Sequence, residues 1–260
     1  MTRHSQVSHW IGPATNLAPL RYGVSVTENT PERYEVRTTL SGRGWAYDSA
    51  PSSGFLPRSW TLEFPLLDSD DAAVLGQLAA GAWGPGPHSF IPASAVVGNV
   101  LTPAQSFLLS ESGSGVLDAT GAWQPRHGVA QVVLRAPAIP GAPVTAAADL
   151  SGSSPSITIR GFDAAGRQVT TITENVTDGQ TKVRRISATL PAHDQLREVQ
   201  VVFKGAIITR PQVTWTDSMP ARWAAGTTSD SVIVQSAETP VLGIYGSTPY
   251  HSGSITLQEV

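Results

Sequence analysis

Larger apolar residues alternate with polar ones along Tyr34-Glu35-Val36-Arg37-Thr38-Thr39-Leu40 and Ser59-Trp60-Thr61-Leu62-Glu63-Phe64. Each segment would bury one face and wet the other, as antiparallel strands do. Between them, Ser41-Gly42-Arg43-Gly44 and residues 48–54 carry turn and loop chemistry. The period then lengthens: Val74, Leu75 and Leu78 share one face of a helix predicted over Asp68–Gly81. Asp68 or Ser69 can cap it, Asp70 and Asp71 suit its first turn, and Gly81 permits its stop. No other stretch has comparable helical periodicity.

Trp83-Gly84-Pro85-Gly86-Pro87-His88 can neither extend a helix nor pair in mid-sheet, because its prolines lack the N–H donor. The chain is expected to turn there and to cross into a second domain at Asn99-Val100-Leu101-Thr102-Pro103. Short strands separated by turn signals follow: Val129–Arg135, Ser156–Phe162, Gln168–Thr173, Val183–Leu190, Glu198–Lys204, Ile207–Trp215, Ser231–Ser236 and Ser254–Val260. Asp163-Ala164-Ala165-Gly166 is the clearest hairpin turn among them. The predicted architecture is mainly β: a β-sandwich or barrel with one flanking helix over residues 1–103, then a β-sandwich of the jelly-roll kind over 104–260.

With 260 residues, each half is long enough to bury its own core. Hydrophobic residues make up 40% and charged residues 14%, so solubility must come mostly from Ser, Thr, Asn, Gln and Gly. The net charge is −3 and the arginines are scattered along the sequence, which argues against nucleic acid as a partner. Without cysteine there is no disulfide, thiol nucleophile or cysteine-held metal. Residues 1–10 lack the apolar core of a secretory signal, and no stretch approaches the ~20 apolar residues that span a bilayer. The expectation is a protein made in the cytoplasm, soluble and not inserted in a membrane.

Signatures of the common enzyme classes are missing: no Gly-x-Ser-x-Gly elbow, no His-Glu-x-x-His pair and no lysine in a phosphate-binding glycine loop. His4, His9, His88, His127, His193 and His251 are far apart in sequence, so no metal site is expected. Asp149, Asp163, Asp178, Asp194, Glu198 and Asp217 could in principle supply a glycosidase pair. Most read instead as turn residues bonding local backbone. No catalytic residue and no cofactor is expected.

The succession Arg58–Phe64, Asp70–Leu75, Trp83–Phe90 and Asn99–Pro103 resembles the start of minor tail proteins of actinobacterial siphophages, which are similar to the distal tail protein family. A bias toward Arg over Lys, with only Lys182 and Lys204, and abundant Ala and Gly agree with a GC-rich host of that kind. The resemblance implies an N-terminal β domain with one helix, assembled as a homo-oligomeric ring of six copies at the end of the tail tube. It also implies tube, tape-measure and hub proteins as partners, and the virion tail tip as location. Residues 140–148, Ile157–Asp163 and Ile255–Val260 resemble the carbohydrate-binding-like jelly rolls that such proteins carry, with host surface glycan as candidate ligand. A free-standing carbohydrate-binding module or a polysaccharide hydrolase are the alternatives.

Sugar faces stack on exposed aromatic rings, and a few polar groups then fix the hydroxyls. Trp123 and Trp223 lie in loop-like context, and Arg126, Asp217 and Arg222 stand near them in sequence; these are the candidate ligand-binding residues. Trp215 ends an alternating strand and is expected in the core. Trp10, Trp60 and Trp83 are expected to pack, and Trp45 to pack or meet a subunit contact.

Overall fold

The computed structural model of the chain describes residues 8–20, 24–31, 34–38, 44–48, 56–67, 69–84, 86–109, 112–114, 116–117, 122–124, 130–176, 182–245 and 248–260. The protein is mainly β, as the alternation predicts, and its sheets are antiparallel. It divides into two units, one of Met1–Pro19 with Ser89–Asp230 and one of Leu20–His88 with Ser231–Val260. Each is thus assembled from two separate stretches of chain, which replaces the expected division between residues 103 and 104.

The larger unit is a β-sandwich. One five-stranded sheet runs in the order Arg184–Leu190, Val144–Ser151, Ile207–Thr214, Trp123–Gln124, Val116–Leu117. The other runs Gln168–Asn175, Ser156–Phe162, Glu198–Gly205, Ala130–Pro137, Ser112–Ser114. Alternate residues from both meet in one core: Ile157, Ile159, Val199, Val201 and Phe203 face Val144, Ala146, Leu150, Ile186 and Val213. Each such aliphatic side chain contributes on the order of 1.5–3 kcal/mol when fully buried. Trp215 joins this core as expected; its Nε1 donates to Pro137 O at 3.0 Å, and Trp10 meets its ring edge-on at 5.9 Å.

Sequence reasoning missed the Val144–Ser151 strand, because every one of its residues is buried and the run Ala146-Ala147-Ala148 shows no alternation. It also missed two short helices, Ala93–Val97 and Pro103–Ser106. One-turn helices carry no period to detect. The second nonetheless has a capping box, with Gln105 N donating to Thr102 Oγ1 and Thr102 N donating to Gln105 Oε1. The predicted hairpin at Asp163–Gly166 is present and joins Ser156–Phe162 to Gln168–Asn175.

In the smaller unit the strands Ser229–Glu238, Thr248–Glu259, Ser59–Leu67 and Ser25–Asn29 lie side by side, with Val241–Tyr245 forming a hairpin with Thr248–Glu259. Trp60, Leu62 and Phe64 alternate into its interior beside Ile255 and Leu257. The predicted helix spans Ser69–Ala79 and turns Ala72, Leu75 and Leu78 inward against Thr248–Glu259 and Ser59–Leu67. Gly81 follows it at φ 71°, a left-handed stop. Asp68, one expected cap, lies outside the described residues. Trp83 is half-buried and donates to Gln77, whereas the side chain of Trp45 lies outside the described residues.

The last strand was foreseen but assigned to the C-terminal domain. It pairs instead with Ser59–Leu67, placing Ile255 opposite Leu62 and Leu257 opposite Trp60. Arg58 fastens it: Nε and Nη2 donate to the two carboxylate oxygens of Glu259 at 3.1 and 2.9 Å. Alternation tells which face a strand buries but not which strand it adjoins.

Candidate functional site

Residues Thr145, Ala147 and Asp149 point away from the sandwich core, yet all are buried by chain lying over them. Near one end, Thr145 Oγ1 donates to Thr216 O at 2.7 Å and lies 2.9 Å from Thr189 Oγ1, which satisfies the polar face locally. Asn99 binds the overlying segment with four hydrogen bonds. Its Nδ2 donates to Ala224 O (2.9 Å) and Pro211 O (3.3 Å), and its Oδ1 accepts from Val213 N (3.1 Å) and Leu101 N (3.2 Å).

Beyond this cover opens a cleft of about 490 Å³, lined by Asp149, Arg184, Arg185, Arg210, Arg222 and Trp223 among others. Asp149 sits at its base, 4% exposed. Arg185 Nη1 donates to Asp149 Oδ1 at 3.2 Å and to Arg210 O at 2.8 Å, while Nη2 reaches Gln212 Oε1. Arg210 forms an ion pair with the other Asp149 oxygen. One buried carboxylate therefore holds two guanidiniums in place; removing either arginine leaves Asp149 paired with the other, whereas removing Asp149 takes the counter-charge from both.

Arg210 owes its position to the backbone. The ladder between Val144–Ser151 and Ile207–Thr214 slips between Ala147 and Asp149, whose partners are Gln212 and Thr209. Arg210 and Pro211 thus share the space opposite Ala148, and Arg210 adopts φ 52°. That conformation costs a non-glycine residue about 1–2 kcal/mol. Trp223 is half-buried and fixed: Nε1 donates to Pro211 O at 3.1 Å, and Phe107 meets the ring edge-on at 5.5 Å.

Of the residues singled out from sequence, Arg222 and Trp223 line this cleft. Asp217 is exposed and is not among its walls. Trp123 belongs to a short strand opposite Ile208 and Leu117 rather than a loop, and its side chain lies outside the described residues, as does all of Arg126. Sequence reasoning missed Asp149, Arg184, Arg185 and Arg210 as members of a site. Asp149 had been grouped with turn carboxylates, but it stands in mid-strand.

Two of the other candidate carboxylates, Asp163 and Glu198, are engaged structurally. Asp163 accepts from Ala165 N and Arg167 N at 2.9 Å each, as the turn reading expects; these bonds, that from Arg167 first, hold its carboxyl below the usual range. Glu198 pairs with Arg135. The smaller unit has a smaller cleft of about 370 Å³ that includes Glu63 and Glu238. Among the described residues, no group of three or more His, Asp or Glu is arranged to hold a metal, and no helix is long and apolar enough to cross a membrane.

No protein-family model and no curated protein matches the chain. Among solved structures it is similar to a carbohydrate-binding module from the β-sandwich superfamily, at 10% identity over 82% of this chain and 94% of that one, with a TM-score of 0.30. It is also similar to the module CsCBM6-3 from Clostridium stercorarium, solved with cellobiose, at 17% identity over 42% of this chain and 82% of that one, TM-score 0.27. A third similarity is to the enzymatically active domain of bacteriophage CBA120 tailspike protein 4, at 10% identity over 74% of this chain, TM-score 0.30. The chain spans only 19% of that tailspike chain's length.

Proposed function

We propose that the protein is a non-catalytic structural component of a phage tail tip. Copies join through the smaller unit into a ring at the end of the tail tube, and the sandwich presents its Arg222–Trp223 cleft to host surface glycan. The observation that carries this reading is the strand Val241–Tyr245, which is hydrogen-bonded on one side only among the described residues. It leaves Val241, Leu242 and Ile244 at 57, 60 and 72% exposure. An apolar strand with an unpaired edge is a template for another chain, and in a ring it would meet a different surface of the next copy, head to tail around the symmetry axis. The sequence resemblance over Arg58–Pro103 supplies the tail context and the expected copy number.

Sedimentation velocity of the purified protein tests the assembly. A discrete closed oligomer, a hexamer by the resemblance, is the expected result; a monomer persisting at high concentration would overturn it. Antibody labelling of the particle that carries the chain should then mark the tip of its tail.

A further inference from the structure

We infer that the cleft on the sandwich takes a saccharide bearing an oxyanion, carboxylate or phosphate, in preference to a neutral sugar. This rests on the reading of that cleft as a glycan site and names the chemical class of the glycan.

Four of the chain's 17 basic residues line this one cleft, spread in sequence from Arg184 to Arg222. Against them stands the single carboxylate of Asp149, so the walls carry a formal charge of +3 in a chain whose net charge is −3. Hydrogen-bonding capacity points the same way. Guanidinium groups only donate; Asp149 Oδ1 already accepts from Arg185, and Oδ2, which has no hydrogen-bond partner, is buried and ion-paired with Arg210. Neutral sugar hydroxyls need acceptors as well as donors, and the charged walls offer almost none. A carboxylate or phosphate is all acceptor and matches the planar fork of arginine bidentately.

Arg222 is exposed and makes no hydrogen bond or ion pair among the described residues, so its fork is open to a ligand. Arg185 keeps its Nε buried without a hydrogen-bond partner. The bulge that holds Arg210 in a costly conformation is the kind of feature found beside binding sites. Trp223 adds an apolar surface whose orientation is fixed by Pro211 and Phe107, which suits a sugar ring attached to the anion. Nucleic acid fits less well: the basic residues form one pocket rather than a track, and the rest of the chain is acidic overall.

Calorimetric titration of the full chain with four probes tests this: tetragalacturonic acid, its neutral methyl ester, the sugar phosphate glucose 6-phosphate and a single-stranded oligonucleotide. One or both anionic saccharide probes should bind, the ester at least about tenfold more weakly than its parent acid if the anion is carboxylate, and binding should weaken steeply with added salt. Which of the acid and the sugar phosphate binds distinguishes carboxylate from phosphate. Arg222→Ala should lose about tenfold in affinity with the melting temperature unchanged, and Arg222→Lys should recover only part of it. Equal binding of acid and ester would overturn the anionic inference while leaving the glycan reading in place. Binding of no saccharide would overturn both, and tighter binding of the oligonucleotide would assign the cleft to another class of ligand; the ring is judged separately by sedimentation.

Discussion

At the scale of single residues, Asn99 shows how much one buried side chain can organise. It uses two donors and two acceptances to join segments more than a hundred positions apart, and those segments carry Arg210 and Trp223. Asn99→Ala would leave buried backbone groups without partners, each costing roughly 1–3 kcal/mol. We expect a loss of several kcal/mol in chemical denaturation, accompanied by weaker ligand binding at the cleft. Gly226 is comparably constrained: a Cβ there would collide with the backbone carbonyl of Leu101. Gly226→Ala should therefore lower the melting temperature by many degrees, read by calorimetry. His9 adds a pH dependence. Its imidazole accepts from Ala93 N at 3.2 Å and stacks near Phe90, and burial holds its pKa below the usual 6.5. The unfolded chain then takes up the proton first, so the stability His9 confers is complete above pH 6.5 and is lost as pH falls through the folded value. Stability measured from pH 7.5 to 5 should fall less steeply for His9→Phe than for the parent.

Elements differed sharply in how far their residues betrayed them. The helix Ser69–Ala79 and the strands Ser59–Leu67 and Ser156–Phe162 were legible, because each has one wet and one dry face. Val144–Ser151 was not, since chain covers its outer face and erases the alternation. Strand Thr248–Glu259 was half legible: its pattern showed through, but its neighbour lies about two hundred residues away and nothing local encodes that choice. Because it pairs with both Ser229–Glu238 and Ser59–Leu67, it is an interior strand of its sheet. Removing residues 248–260 should abolish amide-exchange protection along Ser59–Leu67 while protection persists along Glu198–Gly205 in the sandwich core. Retained protection at Ser59–Leu67 would refute the pairing.

For the whole molecule, the candidate site illustrates why composition misleads. Arginines that look scattered along the sequence converge because Arg184 and Arg185 begin one strand, Arg210 occupies a bulge in another and Arg222 lies in the loop that follows. Arg222 and Trp223 could be nominated from loop context alone. Their companions could not, because the bulge and the sheet order that gather them are long-range features. The unpaired apolar strand Val241–Tyr245 is equally invisible before the fold is known. If it mediates assembly, Leu242→Lys together with Ile244→Lys should convert the oligomer to monomer in sedimentation while leaving circular dichroism unchanged. The two-stretch construction of each unit also bears on biosynthesis. Residues 89–230 can begin to condense on the ribosome, but the sheet started by residue 59 must wait for residue 259 to emerge. Until then Leu62 and Phe64 lack their closing strand, so the nascent chain stays open to chaperone capture or mispairing for the roughly two hundred residues of synthesis that separate the two strands.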